Sequence, residues 1–254
     1  MEISFKNKRV LITGASRGIG KAAALMFAEA GADVVIHYNK NHKGAEQVLG
    51  MLKPGRHGMV SFDMEFPEKA EFFFNEVIER FGKIDILVNN AGVINEIDLN
   101  EISFAEWEKN WKQTLDINLT AAAHLSFLFG RSMAANGGGK IVNISSRGAF
   151  RGEPNAPVYG ASKAGMNALG QSMAKALAPK NVFIYTVAPG FVDTEMSVPM
   201  LTGPEGDQIR NQSPFGRVAR PEEVAHAVLM LAAEGTDFMS GCILDINGAS
   251  YLRT

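Results

Sequence analysis

The sequence predicts a single-domain α/β fold, a doubly wound parallel sheet of about seven strands with helices on both faces. Short β-branched runs alternate with segments of helical composition along the whole 254-residue chain. These runs are continuously apolar rather than alternating, as strands covered on both faces require. No Pro/Ser-rich linker, internal repeat or low-complexity stretch divides the chain, and α/β folds of this length are routinely single units.

Each element follows from local pattern. "RVLIT" is the first strand, "KAAALMFAEA" the first helix, punctuated at its end by Gly31, and "ADVVIHY" the second strand, which completes a βαβ unit. "GMVSFDM", the helical "PEKAEFFFNEVIERFG" and "IDILVNN" repeat the pattern. Ser103 and Glu106 in "SFAE" form a capping box that opens a long helical stretch running through Asn118 toward Met133. "KIVNIS", a helix around Tyr159, "VFIYTVAP", the helix "PEEVAHAVLMLAAEG" and "CILDIN" complete the series. Residues 191–219 show no clear period, and so long a segment inside a compact domain reads as a substrate lid.

Composition excludes several classes. Lys and Arg number 25 against 27 Asp and Glu, a formal net charge of −2 without long runs of either sign, so no nucleic-acid footprint is present. Cys242 is the only cysteine, which rules out an intrachain disulfide and a multi-cysteine metal site and fits a reducing compartment. The N-terminal residues lead directly into a strand, and the apolar stretch between Asp116 and Arg131 is too short to span a bilayer. A cytoplasmic protein with no membrane partner is expected. His37, His42, His57, His124 and His226 have no metal-ligand spacing; they read as surface or core residues, and no metal is expected.

In doubly wound sheets the ligand lies outside the carboxyl ends of the strands, so chemistry is sought just after each strand. "TGASRGIG" places Gly14, Gly18 and Gly20 between strand and helix, where glycines permit close backbone approach and the helix start offers N–H groups to a pyrophosphate. "NNAG", residues 89–92, follows the fourth strand, and its amides can brace neighbouring strands. Ser145 and Ser146 follow the fifth. Tyr159 and Lys163 are one helical turn apart, close enough to share a pocket as a proton-transfer pair or to be a packed phenol beside a solvated lysine.

"TGASRGIG", "NNAG", Asn118 in "DINLT", Ser146, "YGASK" and "APGFVDT", in this order and spacing, resemble the short-chain dehydrogenase/reductase family over essentially the whole chain. Within that family the pattern is most similar to the 3-oxoacyl-[acyl-carrier-protein] reductase type. The resemblance implies one Rossmann-type oxidoreductase domain across residues 1–254, with Asn118, Ser146, Tyr159 and Lys163 as catalytic residues. It implies that Ser146 hydrogen-bonds the reacting oxygen, that Lys163 also holds the nicotinamide ribose, and that Asn118 anchors a proton-relaying water. The expected cofactor contacts are Gly14, Ser16, Arg17, Gly18, Ile19 and Gly20 in the first turn, and Asn90, Ala91 and Gly92 in the "NNAG" turn. Tyr159 and Lys163 join them, with Asp63 and Met64 on the adenine side and Pro189, Gly190, Val192 and Thr194 near the nicotinamide. A phenol with its ordinary pKa near 10 serves neutral-pH chemistry when a cation stabilises the phenolate, so Lys163 is expected to bring Tyr159 toward neutrality.

Charge selects the dinucleotide. NAD recognition wants a carboxylate at the end of the second strand, but Tyr38 holds that position, with Asn39 and Lys40 beyond it and Arg17 available for a 2′-phosphate. NADP is the expected cofactor, with NAD the alternative. Substrate identity is less legible. Lys180 matches a basic position of carrier-protein reductases, whereas the turn "ANGGGK" is neutral where those enzymes often carry arginine. Arg147 and Arg151 are either receptors for a carboxylate or phosphate, or solvated and paired arginines. In the lid, Val198, Met200, Leu201 and Phe215 can line an apolar pocket, with Glu195 and Asp207 facing water.

A 3-oxoacyl-thioester reductase is the leading expectation, with acyl carrier protein as one possible partner, and a sugar, polyol or hydroxysteroid dehydrogenase the alternative. A catalytically silent dinucleotide sensor is a third class, disfavoured because all four catalytic positions are filled. The resemblance further implies a homotetramer, formed through the helices bearing Asn118 and Tyr159.

Overall fold

The computed structural model describes residues 3–253. Seven parallel strands form one sheet: β1 (Arg9–Ile12), β2 (Asp33–Tyr38), β3 (Gly58–Ser61), β4 (Ile86–Asn89), β5 (Gly139–Ile144), β6 (Val182–Pro189) and β7 (Ile243–Ile246). Their order is β3-β2-β1-β4-β5-β6-β7, so the winding direction reverses between β1 and β4. The crevice over their carboxyl ends is where such a fold binds ligands.

The alternating direction of strand side chains divides the interior in two. Val10, Ile12, Val34, Ile36, Ile86 and Val88 face one layer, with Phe27 of α1 (Gly18–Glu29), Val48 of α2 (His42–Met51) and Val224 and Val228 of α10 (Pro221–Ala232). Leu11, Val35, Leu87 and Ile141 face the other, with Phe73 of α3 (Ala70–Phe81), Leu125, Phe129 and Met133 of α5 (Ala121–Ala135) and Ala174 of α7 (Pro157–Leu177). Because both faces are covered, the strands need no polar alternation, which is why they read as unbroken apolar runs.

Two expectations are refined. The capping box forms as expected at the start of α4 (Phe104–Leu115): Glu106 N–H donates to Ser103 Oγ at 3.3 Å and Ser103 N–H to Glu106 Oε2 at 3.0 Å. The long helix does not run through in one register, however. A π-helical turn, Asp116–Thr120, separates α4 from α5 and places Asn118 at its centre. Such turns recur at functional sites because they re-aim side chains by one residue.

The lid is also more ordered than its sequence suggests. It contains α8 (Val198–Thr202) and α9 (Gly206–Asn211), and its ends are clasped where Asp193 N–H donates to Ala219 O at 2.8 Å and Ala219 N–H to Phe191 O at 3.0 Å. Among the described residues no helix is long and apolar enough to cross a membrane.

Candidate active site

The glycine turn is fixed from both sides. Thr13 Oγ1 accepts the backbone N–H groups of Asn90 and Ala91, both at 2.9 Å, which locks the turn after β1 to the turn after β4. Asn90 Nδ2 returns the contact to Thr13 O at 2.8 Å. Gly14 adopts φ +63°, and a Cβ on Gly20 would stand 2.5 Å from Gly14 O and 2.6 Å from Asn90 Nδ2, so only glycine fits there. Arg17 is the N-cap of α1; its side chain leaves the first-turn N–H groups free, and that turn contains no acidic residue. An uncapped helix start beside a glycine turn suits an anionic pyrophosphate.

His37, expected only as a surface or core residue, completes this turn. Its Nδ1 accepts Gly14 N–H at 3.0 Å, and its Nε2 lies 2.9 Å from Phe62 O. The carbonyl can only accept, so the proton resides on Nε2 and the ring is neutral. Burial holds its pKa down to about 4.

Across β2, the exposed Arg17 lines the cavity together with Tyr38, Asn39 and Lys40, and Asp63 and Met64 line it further along. No carboxylate stands at the end of β2. Asn89 Nδ2 donates to Ser126 Oγ and to Asn143 Oδ1, each at 2.9 Å, the strand bracing expected of the "NNAG" amides.

Asn118 is fully buried and clamps the strand-end turn to α7. Its Nδ2 donates to Val93 O at 2.9 Å and Ser162 Oγ at 3.1 Å, while its Oδ1 accepts Val93 N–H at 2.8 Å. Its amide is thereby committed to positioning rather than to a bond with Lys163. Asn118 Oδ1 and Lys163 Nζ nevertheless converge on Gly92, whose Cβ, if present, would lie 3.3 Å and 3.4 Å from them.

Tyr159 and Lys163 occupy one face of α7, begun by Pro157 in its first turn. Lys163 Nζ lies 5.8 Å from the centre of the Tyr159 ring and donates to Ile144 O at 2.8 Å. Ser145 Oγ donates to Lys163 O at 3.2 Å, tying α7 to the end of β5, and Ser146 Oγ accepts Gly148 N–H at 3.0 Å. Burial pushes the Tyr159 phenol above 10, partly offset by the neighbouring Ser146 hydroxyl. Burial also pushes Lys163 down to about 8. In the protein by itself, burial and the Glu153 carboxylate therefore hold the phenol in its protonated form.

These groups line one cavity of about 1010 Å³, at the upper end of the roughly 300–1,000 Å³ typical of a single small ligand. Gly14, Ser16, Arg17, Gly18, Ile19, Asn90, Ala91, Gly92, Ser146, Tyr159, Lys163, Pro189, Gly190, Val192 and Thr194 all reach it. Gly20 and Asn118 stand behind the wall. In the lid, Met200 and Glu195 reach the cavity, joined by Met196, Pro199, Ile209 and Gln212, which the sequence did not single out. Three lid expectations fail: Val198 is exposed, Leu201 is buried behind the wall, and Phe215 is exposed beside a separate, smaller pocket. Asp207 faces water, paired with Arg210. Arg147 and Arg151 both reach the cavity, whereas Lys180 lies on the turn ahead of β6, at the amino end of the sheet. Among the described residues no three His, Cys, Asp or Glu side chains converge to hold a metal.

A family model described as Enoyl-(Acyl carrier protein) reductase matches residues 14–249. A 3-oxoacyl-[acyl-carrier-protein] reductase of Aquifex aeolicus is 35% identical over 254 residues, covering 99% of this chain and 100% of that protein. Cis-4-hydroxycyclohexanecarboxylate dehydrogenase of Sinomonas cyclohexanicum is 35% identical over 251 residues, covering 96% and 97%. Among solved structures, a protein of Beutenbergia cavernae proposed to be an NAD(P)-dependent gluconate 5-dehydrogenase, with NADP bound at low occupancy, matches with a TM-score of 0.89 and 31% identity, covering 98% and 99%.

Proposed function

Because the chain belongs to the short-chain dehydrogenase/reductase family of oxidoreductases, we propose that it interconverts a carbonyl and a secondary alcohol using NADP(H), with Tyr159 transferring the proton. The observation that carries this reading is the pair of half-buried Tyr159 and buried Lys163, 5.8 Å from ring centre to ammonium, beside Ser146 in a cavity that continues to the glycine turn. NADPH, when bound, supplies the hydride. Ser146 hydrogen-bonds the carbonyl oxygen, and Tyr159 donates its proton to that oxygen as the carbon is reduced. The ammonium of Lys163 stabilises the phenolate left behind. Asn118 acts as a positioning residue, holding Val93 and α7 in register.

The residues present fit the dinucleotide. The uncapped start of α1 and the Gly14–Gly20 turn would receive the pyrophosphate, and Arg17, Tyr38, Asn39 and Lys40 would surround a 2′-phosphate where NAD-specific sites carry a carboxylate. The NADP in the Beutenbergia neighbour supports the same choice.

Two substrate classes fit this reaction. The Aquifex reductase supports a 3-oxoacyl thioester. The gluconate and hydroxycyclohexanecarboxylate enzymes support a free hydroxy acid, and Lys180, remote from the cavity, gives a carrier protein no docking charge at its mouth. A homotetramer through α4, α5 and α7 is supported by Phe104, Trp111 and Phe127, all exposed on the first two of these helices. Rates of NADPH and NADH oxidation across acetoacetyl thioesters, oxo acids, ketosugars and steroid ketones test the activity; absence of turnover across this panel would count against it, and light scattering tests the assembly.

A further inference from the structure

Arg147 is the only buried arginine among the described residues, and none of their carboxylates lies within 4 Å of it. It directly follows Ser146, and its backbone N–H donates to Pro189 O at 2.8 Å, which fixes the turn. Its guanidinium lies 5.1 Å from the centre of the Phe191 ring and donates to two neutral acceptors, Ser250 Oγ and Gln212 Oε1, each at 2.5 Å. Two hydrogen bonds leave much of a five-donor fork unused. Burial holds its pKa down to about 10, with Arg151 adding repulsion that Glu153 partly offsets from beyond ion-pair distance.

Arg151 is different. Its Nε and Nη2 donate to the two carboxylate oxygens of Glu153 at 3.3 and 3.2 Å, so its charge is already matched. The cavity end formed by Arg147, Arg151, Glu153 and Gln212 therefore carries one unmatched positive charge. A buried, unpaired guanidinium is costly, and the cost is relieved when a ligand supplies the counter-charge. A single unmatched charge suits a monoanion, whereas a phosphate dianion would leave excess negative charge beside Glu153. Planar carboxylate also matches the fork geometry of a guanidinium.

We propose that Arg147 is the receptor for a carboxylate carried by the substrate, so that the reacting molecule is an oxo or hydroxy acid in its free-acid form rather than a thioester. The guanidinium is bonded to the lid residue Gln212 and to Ser250 beside the smaller pocket, whereas Lys163 is bonded to Ile144 O at the end of β5, so the carboxylate is assigned to the lid end of the substrate rather than to the reacting carbon. This rests on the oxidoreductase reading above and decides between its two substrate classes.

The test uses protein saturated with oxidised NADP, which cannot reduce a ketone, so that binding is read without turnover. Oxo acids of four to eight carbons with a terminal carboxylate, their primary amides and matching phosphate monoesters are titrated calorimetrically into wild type, Arg147→Met and Arg147→Lys. At least one acid is expected to bind wild type roughly 10–100-fold tighter than its amide, the range of a charge-assisted hydrogen bond. Arg147→Met is expected to lose that preference and Arg147→Lys to keep only part of it, since an ammonium retains the charge but not the fork. Equal binding of acid and amide in every wild-type pair, a preference that survives in Arg147→Met, or a stronger preference for the phosphate ester overturns the proposal. Where Arg147→Met does not fold, Arg147→Lys decides: full retention of the preference overturns it. Turnover of Tyr159→Phe reports separately on the proton-transfer reading, because the acid preference in binding does not depend on Tyr159.

Discussion

Lys163 Nζ lies 5.8 Å from the centre of the Tyr159 ring, and burial pushes the two groups in opposite directions, the phenol above 10 and the ammonium down to about 8. Reduction requires the Tyr159 proton and the Lys163 charge together. The value of kcat/KM for ketone reduction is therefore expected to be level at lower pH and to fall as pH passes about 8. Alcohol oxidation, which needs the phenolate, should instead rise only at higher pH, as the medium approaches the raised pKa of the phenol. Parallel profiles in the two directions would contradict the assignment.

Replacing Lys163 should separate stability from activity. Bringing an ammonium from its ordinary 10.5 down to about 8 costs the folded state on the order of 3 kcal/mol at neutral pH, offset by about 1 kcal/mol for its bond to Ile144 O. Below about pH 8 the lysine is charged both folded and unfolded, and the full cost applies. Between about 8 and 10.5 the folded state releases the proton first, so wild-type stability rises. Lys163→Met is expected to melt several degrees higher than wild type at pH 7, to lose that advantage as pH approaches 10.5, and to be inactive. Calorimetric melts across that range check it.

His37 is the hinge pin of the dinucleotide turn. His37→Phe removes the acceptor for Gly14 N–H, so KM for NADPH is expected to rise roughly 10-fold while KM for the ketone moves little. The same residue sets part of the acid limb. With its folded pKa near 4 against 6.5 unfolded, the unfolded state binds the extra proton, and the stability from His37 falls as pH drops from 6.5 to 4. Denaturant melts of His37→Phe should lack that slope.

Arg17 is expected to set cofactor choice. Arg17→Glu places a carboxylate where a 2′-phosphate would lie, and should reduce the NADPH/NADH ratio of kcat/KM by roughly 10–100-fold. A ratio that stays constant would return Arg17 to an ordinary solvated turn residue.

Much of this was legible in sequence because it depends on local pattern. Apolar runs gave seven strands in their right places, and strand-end motifs located the cavity since topology alone puts those ends together. What escaped depends on register between distant elements. His37 is an unremarked residue of β2 until the pairing of Leu11 with Val35 and Ile12 with Ile36 brings it beside Gly14. Asn118 is marked by the resemblance, but the π-helical turn that holds it is not, because that turn is braced by Val93, 25 residues earlier, and by Ser162 on another helix. The lid helices are too short and too rich in Gly and Pro to announce themselves, and their stem is held by the Val192–Ala219 bridge and by Ser197 Oγ, which donates to Val192 O at 2.5 Å. Arg147 and Arg151 are alike in sequence, and burial of the first and the Glu153 carboxylate on the second tell them apart only in the folded chain.

The most direct test of the central claim is single-turnover NADPH oxidation by wild type and Tyr159→Phe with the best ketone of the substrate panel. Removing one hydroxyl from a positioned general acid is expected to slow hydride transfer by roughly 10²–10⁴-fold while NADPH affinity stays within a few-fold of wild type. A Tyr159→Phe rate within a few-fold of wild type would contradict the assignment of Tyr159 as the proton donor.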